Sequence, residues 1–260
     1  MKTVLLKGVE IGKGQPKTCV PIVGKTFSEV IDQAERISGQ GADLVEWRVD
    51  CCDFCGDREQ VEAVLVSIGE ILEDTPVLFT FRSQEEGGNQ RLDGESYLGL
   101  IRLAVQAGMA DLVDVELSRG PELVDEIVRT AHRAGIPVLM SSHDFQKTPS
   151  VEEMAAILKT MEERGADIAK LAVMPQTKRD VLNLLDATLT AGQQMDIPVI
   201  TMAMGGMGTV SRLCGECFGS AVTFGSVGKA SAPGQMELTQ LKAALELIHR
   251  GMTREEIDWT

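Results

Sequence analysis

The stretch Ala166-Asp-Ile-Ala-Lys-Leu-Ala-Val-Met-Pro175 has the apolar density of a buried strand, with one ammonium, Lys170, at its centre. Burial and neighbouring cations favour an uncharged amine, and nearby acids oppose it. A neutral amine attacks carbonyl carbon and forms a Schiff base, whose protonated nitrogen withdraws electrons from the adjacent carbon. Such chemistry needs a proton carrier. His143, in Ser141-Ser-His-Asp-Phe145, ends the apolar segment just before that of Lys170. Adjacent strands lie about 4.8 Å apart, so the two side chains can converge on one ligand. Glu86 opens the glycine-rich turn Glu86-Gly-Gly-Asn89 and is placed, ahead of Glu85, to orient the imidazole. Each residue also has a structural reading: a lysine paired with Glu46, Asp114 or Glu116, a hydrogen-bonded core histidine, a solvated loop carboxylate. His132 and His249 fall near the ends of helical patterns, where a solvated imidazole is expected.

These groups need a frame. Short apolar runs alternate with longer helical patterns at a spacing of about thirty residues. The runs are Thr18 to Val23, Ala42 to Val49, Pro76 to Arg82, Asp111 to Leu117, Pro137 to His143, Asp167 to Val173, Pro198 to Met204 and Ala221 to Val227. Helical patterns cover Lys25 to Ser38, Arg58 to Leu72, Glu95 to Ala107, Pro121 to Ala134, Val151 to Arg164, Lys178 to Gln193 and Met236 to Arg250. Gly108, Gly135 and Gly165 serve as stops. The pattern predicts an α/β fold, a (β/α)8 TIM barrel forming one catalytic domain over residues 1–260, with an open doubly wound sheet as the competing architecture. Val4 to Lys17, with glycines at 8, 12 and 14, suits an N-terminal β-hairpin closing the bottom of the barrel.

Alternate strand residues face the barrel interior. Glu46 with Arg48, Thr80 with Arg82, Asp114 with Glu116, and Ser141 with His143 share one parity; Val45, Trp47, Phe79, Phe81, Val113 and Val115 take the other. Lys170 falls on the inward parity with Ile168 and Ala172. The segments Met202 to Arg212 and Phe224 to Gln235 are glycine-rich and follow the last two strands, where many barrels hold phosphate. Arg212 offers a planar fork equally suited to a carboxylate, and Ser231 with Gln235 suits ligand hydroxyls.

The net charge is -14, with Lys and Arg scattered along the chain, which argues against a nucleic-acid or anionic-membrane surface. Apolar runs are too short to cross a bilayer and the amino terminus has no signal-peptide pattern, so a cytoplasmic protein is expected. Six cysteines include the pairs Cys52/Cys55 and Cys214/Cys217. The pairs have the spacing of a four-thiolate zinc site, but Cys214 and Cys217 fall on a short amphipathic helical pattern and the six cysteines read as reduced, apolar thiols.

Taken together, Glu46-Trp-Arg-Val-Asp50, Leu78-Phe-Thr-Phe-Arg-Ser83, Glu86-Gly-Gly88, Ser142-His-Asp-Phe145, Lys147-Thr-Pro149, Ala169 to Gln176, Ser211-Arg212 and Ala230 to Gln235 resemble the type I 3-dehydroquinate dehydratases over essentially the whole chain. The resemblance implies a lyase of the shikimate pathway, often a homodimer, that dehydrates 3-dehydroquinate with no metal or organic cofactor. It assigns Lys170 as Schiff-base nucleophile, His143 as general acid/base and Glu86 as its carboxylate partner. Glu46, Arg48, Arg82, Arg212, Ser231 and Gln235 would bind substrate, with Arg212 at the carboxylate. Related enzymes often carry serine where this chain has Pro21, and Cys51-Cys-Asp-Phe-Cys55 matches no signature of the family. The competing functions are a class I aldolase acting on a phosphorylated sugar and a non-catalytic barrel that binds a small acid.

Overall fold

The computed structural model of the chain describes residues 2–228 and 234–253. An antiparallel hairpin of β1 (Val4–Leu6) and β2 (Val9–Ile11) comes first. The parallel strands follow: β3 (Lys17–Ile22), β4 (Leu44–Arg48), β5 (Val77–Thr80), β6 (Leu112–Glu116), β7 (Val138–Asp144), β8 (Ile168–Val173), β9 (Val199–Ala203) and β10 (Val222–Ser226). Each pairs with its successor from β3 to β9, and β10 returns to pair with β3. Between β9 and β10 the wall is held by less: Val199 bridges Ser220, the Ala221 N–H donates to the Val199 carbonyl at 2.8 Å, and the Thr201 N–H donates to Ser220 Oγ at 3.0 Å. With that seam the sheet curls into the expected (β/α)8 barrel, and a two-residue strand, β11 (Met236–Glu237), extends the sheet beyond β10.

The helices are α1 (Phe27–Ile37), α2 (Arg58–Leu72), α3 (Gly94–Ala107), α4 (Pro121–Arg133), α5 (Val151–Glu163), α6 (Lys178–Gln194), α7 (Thr209–Leu213), α8 (Gly215–Phe218) and α9 (Leu238–Thr253). Their starts follow from local chemistry. Thr26, Asp57 and Asp93 accept backbone N–H groups of the first turns, Ser150 and Thr177 form reciprocal capping boxes with Glu153 and Asp180, and Pro121 opens α4. Two expectations shift. The last helix begins at Leu238 rather than Met236 because Met236 and Glu237 pair with β10, and Cys214 caps the end of α7 while Cys217 lies on α8, so the two thiols do not share one helix. None of the described helices is long and apolar enough to cross a membrane.

The inward face is stratified. Leu44, Leu78, Leu112, Leu139, Ile168, Ile200 and Val222 form an apolar floor, sealed from below by Leu6 and Ile11 of the hairpin. Two residues further along the strands the same face turns polar: Glu46, Thr80, Asp114, Ser141 and Lys170 are all buried there. The opposite parity, including Trp47, Phe79, Phe81, Val113 and Val115, packs between strands and helices, with Trp47 and Phe79 edge to face at 5.5 Å. Pro21 is buried in β3 opposite Glu46 in register. Polar groups are thus stacked on a close-packed hydrocarbon base, which fixes their height in the barrel. Leu112→Ala is expected to cost about 2–5 kcal/mol by opening a cavity in that base, measurable as a lower denaturation midpoint with an unchanged slope.

Candidate active site

Above the floor lies a cavity of about 400 Å³. Of the residues singled out from the sequence, Glu46, Arg48, Arg82, Glu86, His143, Lys170, Arg212 and Gln235 line it; Ser231 lies outside the described residues. Lys170 is 4% exposed, with Nζ 3.6 Å from Glu46 Oε1 and 4.4 Å from the centre of the Phe224 ring. Glu46 Oε1 also accepts from Thr80 Oγ1 at 3.1 Å. In register, Lys170 stands opposite Ser141 and His143 opposite Ala172, so the amine and the imidazole come from adjacent strands, the imidazole one step nearer the rim.

His143 is joined to Glu86 through Nδ1 and Oε2 at 2.8 Å, and the other carboxylate oxygen accepts from Ser118 Oγ at 2.5 Å. The turn that carries Glu86 depends on two glycines. Gly87 has φ +82°, and a Cβ there would meet the Phe145 ring; a Cβ on Gly88 would lie 1.8 Å from the Arg82 carbonyl. Only glycine lets the chain fold back this closely and present Glu86 beneath the imidazole. Burial pushes the Glu86 carboxyl up, with the Glu116 and Asp114 charges adding to it and Arg82 and the Ser118 hydroxyl opposing, to about 7. Burial and the cations Arg82, Lys170 and Arg48 hold His143 well below the usual imidazole range. The neutral imidazole turns Nδ1 to the carboxylate, and Nε2 has no partner among the described residues.

Arg82 borders the cavity, but its guanidinium is clamped from behind. Nη2 donates to Asp114 Oδ2 at 2.7 Å, Nη1 donates to Glu116 Oε1 at 3.0 Å and to Ser141 Oγ at 2.9 Å, and Glu86 Oε2 lies 3.6 Å away. Its pKa is raised because the surrounding acids outweigh burial. Arg48 forks onto Asp50 with Nε–Oδ1 at 2.7 Å and Nη2–Oδ2 at 2.9 Å. Arg212, on α7 beyond β9, is 2% exposed, and burial draws its pKa down to about 10.

Three guanidinium groups, an amine, an imidazole–carboxylate pair and a polar wall open onto one space. The model of type I 3-dehydroquinases matches this chain over residues 18–252. The chain belongs to that family. The 3-dehydroquinate dehydratase of Listeria welshimeri is 47% identical over 250 residues, covering 96% of this chain and 99% of the relative, and that of Bacillus licheniformis is 45% identical over 252 residues with the same coverage. Among solved structures, the type I enzyme of Clostridium difficile superposes with TM-score 0.94 at 44% identity over 96% of this chain and 99% of its own. The Geobacillus kaustophilus enzyme gives TM-score 0.94 at 38% identity, covering 98% of each chain. The 3-hexulose-6-phosphate synthase of Salmonella typhimurium, at 18% identity and TM-score 0.59, shares the fold alone.

In this type I 3-dehydroquinase two polar residues at the site were not singled out from the sequence. Asp50 is fully buried and, besides the Arg48 fork, accepts the backbone N–H groups of Arg82 at 3.1 Å and Asn89 at 3.2 Å. Burial works to raise its pKa, yet the Arg48 contacts win and hold it below the usual range. Ser118 is the other. Both were in reach of the alternation argument, since Asp50 continues the parity of Glu46 and Arg48, and Ser118 that of Asp114 and Glu116. All six cysteines are free thiols. Cys52 and Cys55 are buried, Cys55 donating to Gln90 Oε1 at 2.8 Å, while Cys51 lines the cavity; among the described residues no His, Cys, Asp and Glu cluster is arranged to hold a metal ion.

A carboxyl whose pKa is raised on folding contributes stability that is present below its unfolded value and lost as pH rises through the folded one. For Glu86 that window runs from the ordinary 4.5 to about 7. Glu86→Gln is therefore expected to melt at a higher temperature than the parent above neutral pH, with the gap closing toward pH 4.5, checked by thermal unfolding across pH.

Proposed function

We propose that the chain dehydrates 3-dehydroquinate to 3-dehydroshikimate, a step of the shikimate pathway, through a Schiff base on Lys170 with His143 as general acid and base. The observation that carries this reading is the placement of the Lys170 amine and the His143 imidazole on neighbouring strands at one cavity, with Glu86 fixing the far side of the ring. The Clostridium difficile relative was solved with covalently modified comenic acid, which supports covalent chemistry in this family.

The Lys170 amine attacks the C3 ketone, and loss of one water leaves an iminium. The cationic nitrogen acidifies the C2 hydrogen, and Nε2 of His143 removes that proton. As the C2 electron pair forms the new double bond to C1, the C1–O bond breaks, and the imidazolium returns its proton to the departing hydroxyl, which leaves as the second water. Hydrolysis of the conjugated iminium consumes one water and frees the amine, so the sum is loss of one water from the substrate. Glu46, 3.6 Å from Nζ, balances charge as the nitrogen becomes cationic. Arg212 suits the substrate carboxylate, and Gln235, together with Ser231 from the undescribed segment, suits its hydroxyls. Arg48 and Arg82 complete the cationic wall. The barrel over residues 1–260 acts as one catalytic domain, and the resemblance extends the proposal to a cytoplasmic homodimer.

Borohydride added with substrate should trap an adduct on Lys170, read by mass spectrometry of the peptides. Lys170→Ala should abolish adduct and turnover together; turnover without it would overturn the assignment. His143→Ala should still give the adduct while kcat falls by about a hundred- to ten-thousandfold, followed by the absorbance of the conjugated product.

A further inference from the structure

Glu86 is the hinge between two hydroxyl-sized decisions: one oxygen faces His143 Nδ1 at 2.8 Å, the other accepts from Ser118 at 2.5 Å. Ser118 lies on the rim in the short turn Leu117–Arg119 after β6, exposed as a residue but with its hydroxyl aimed inward at the buried carboxylate. We propose that Ser118 selects the tautomer of His143: by donating to Glu86 Oε1 it keeps Glu86 an anionic acceptor, which holds the ring proton on Nδ1 and leaves Nε2 bare toward the cavity. Ser118 is thus a positioning residue that acts through Glu86, and the proposal rests on the reading of His143 as the base.

The physical argument is local. A carboxylate beneath Nδ1 can only accept, so the ring must be N–H there. A protonated carboxyl donates to Nδ1 instead, or passes its proton on to give an imidazolium; either way Nε2 carries a hydrogen and cannot take one from substrate. Which state prevails is a balance over every group facing the pair. From β6, Glu116 and Asp114 disfavour a further negative charge; from the end of β5, Arg82, 3.6 Å from Oε2, favours it; the Ser118 hydroxyl favours it; burial opposes it. Around the ring, Arg82, Lys170 and Arg48 all oppose imidazolium. Arg82 is already held by Asp114, Glu116 and Ser141, which divides its effect on Glu86. The balance sits close enough to neutrality that one donor decides it: a hydrogen bond to a charged group shifts an ionisation by about one pH unit or more.

Nitrogen NMR of the full-length protein labelled with 15N-histidine reads the tautomer directly, with the His143 signals assigned by the His132→Gln and His249→Gln variants. In the parent, His143 should show Nδ1–H and a bare Nε2 at about pH 9, giving way to protonated Nε2 as pH falls. In Ser118→Ala this transition should move up by about one unit, and the acid limb of kcat/KM with it: roughly tenfold lower at about pH 6, near parity at about pH 9. Ser118→Thr, which keeps the hydroxyl, should restore both. An unmoved transition in Ser118→Ala, or identical behaviour of the Ala and Thr variants, would overturn the proposal. A transition that moves while kcat/KM does not follow would uphold Ser118 as the selector and bring down His143 as the base. Since Ser118 is exposed, its truncation disturbs no packing.

Discussion

The clamp on Arg82 is the interaction on which the site depends. Its guanidinium ties β5 to Asp114 and Glu116 of β6 and to Ser141 of β7, with its remaining charge turned toward Glu86. Each ion so deeply placed loses several kcal/mol of hydration, and only a network that satisfies nearly every donor and acceptor recovers it. Ser83 N–H and Arg119 complete Glu116, Arg119 in turn lying 4.4 Å over the Tyr97 ring. Three strands are thereby fixed in relative height, and the polar layer acquires one geometry instead of several.

That geometry also sets the electronics. Glu46, Asp50, Asp114 and Glu116 are matched to Lys170, Arg48, Arg82 and Arg119, and Glu86 is left with a 3.6 Å share of Arg82, whose donors are already taken by Asp114 and Glu116. Burial, with the Glu116 and Asp114 charges adding to it, makes the Glu86 carboxyl hold a proton up to about pH 7, against the pull of Arg82 and Ser118. Burial and the cations Arg82, Lys170 and Arg48 together keep His143 neutral. The cationic wall of the cavity and the neutral imidazole are consequences of a single arrangement of charge.

Much of this was legible in the sequence. The barrel follows from the alternation of apolar runs and helical patterns, and the inward parity of Glu46, Arg48, Thr80, Asp114, Glu116, Ser141, His143 and Lys170 brings the polar residues to one face. Strand ends were less legible, because Phe81 and Arg82 keep the apolar and inward pattern after the ladder has stopped at Thr80. Asp50 and Ser118 keep the parity of their strands but lie just beyond the strand ends, and Arg82, Asn89 and Glu86, which they hydrogen-bond, come from another segment of the chain. Arg82 illustrates the wider limit: its type and parity announced an inward cation, but that its donors close a four-residue clamp depends on distances between strands, which no one-dimensional pattern contains.

The seam between β9 and β10 has a mechanical meaning. Where the other strands are laced by continuous ladders, this joint is held by one bridge, the Ala221 N–H bond to the Val199 carbonyl and the Ser220 hydroxyl, so parting the wall is cheapest there. Arg212 follows β9 on one side and Gln235 precedes β11 on the other. Local opening at that joint would part β9 from β10 and leave intact the six-residue ladder of β7 and β8 that carries the imidazole and the amine.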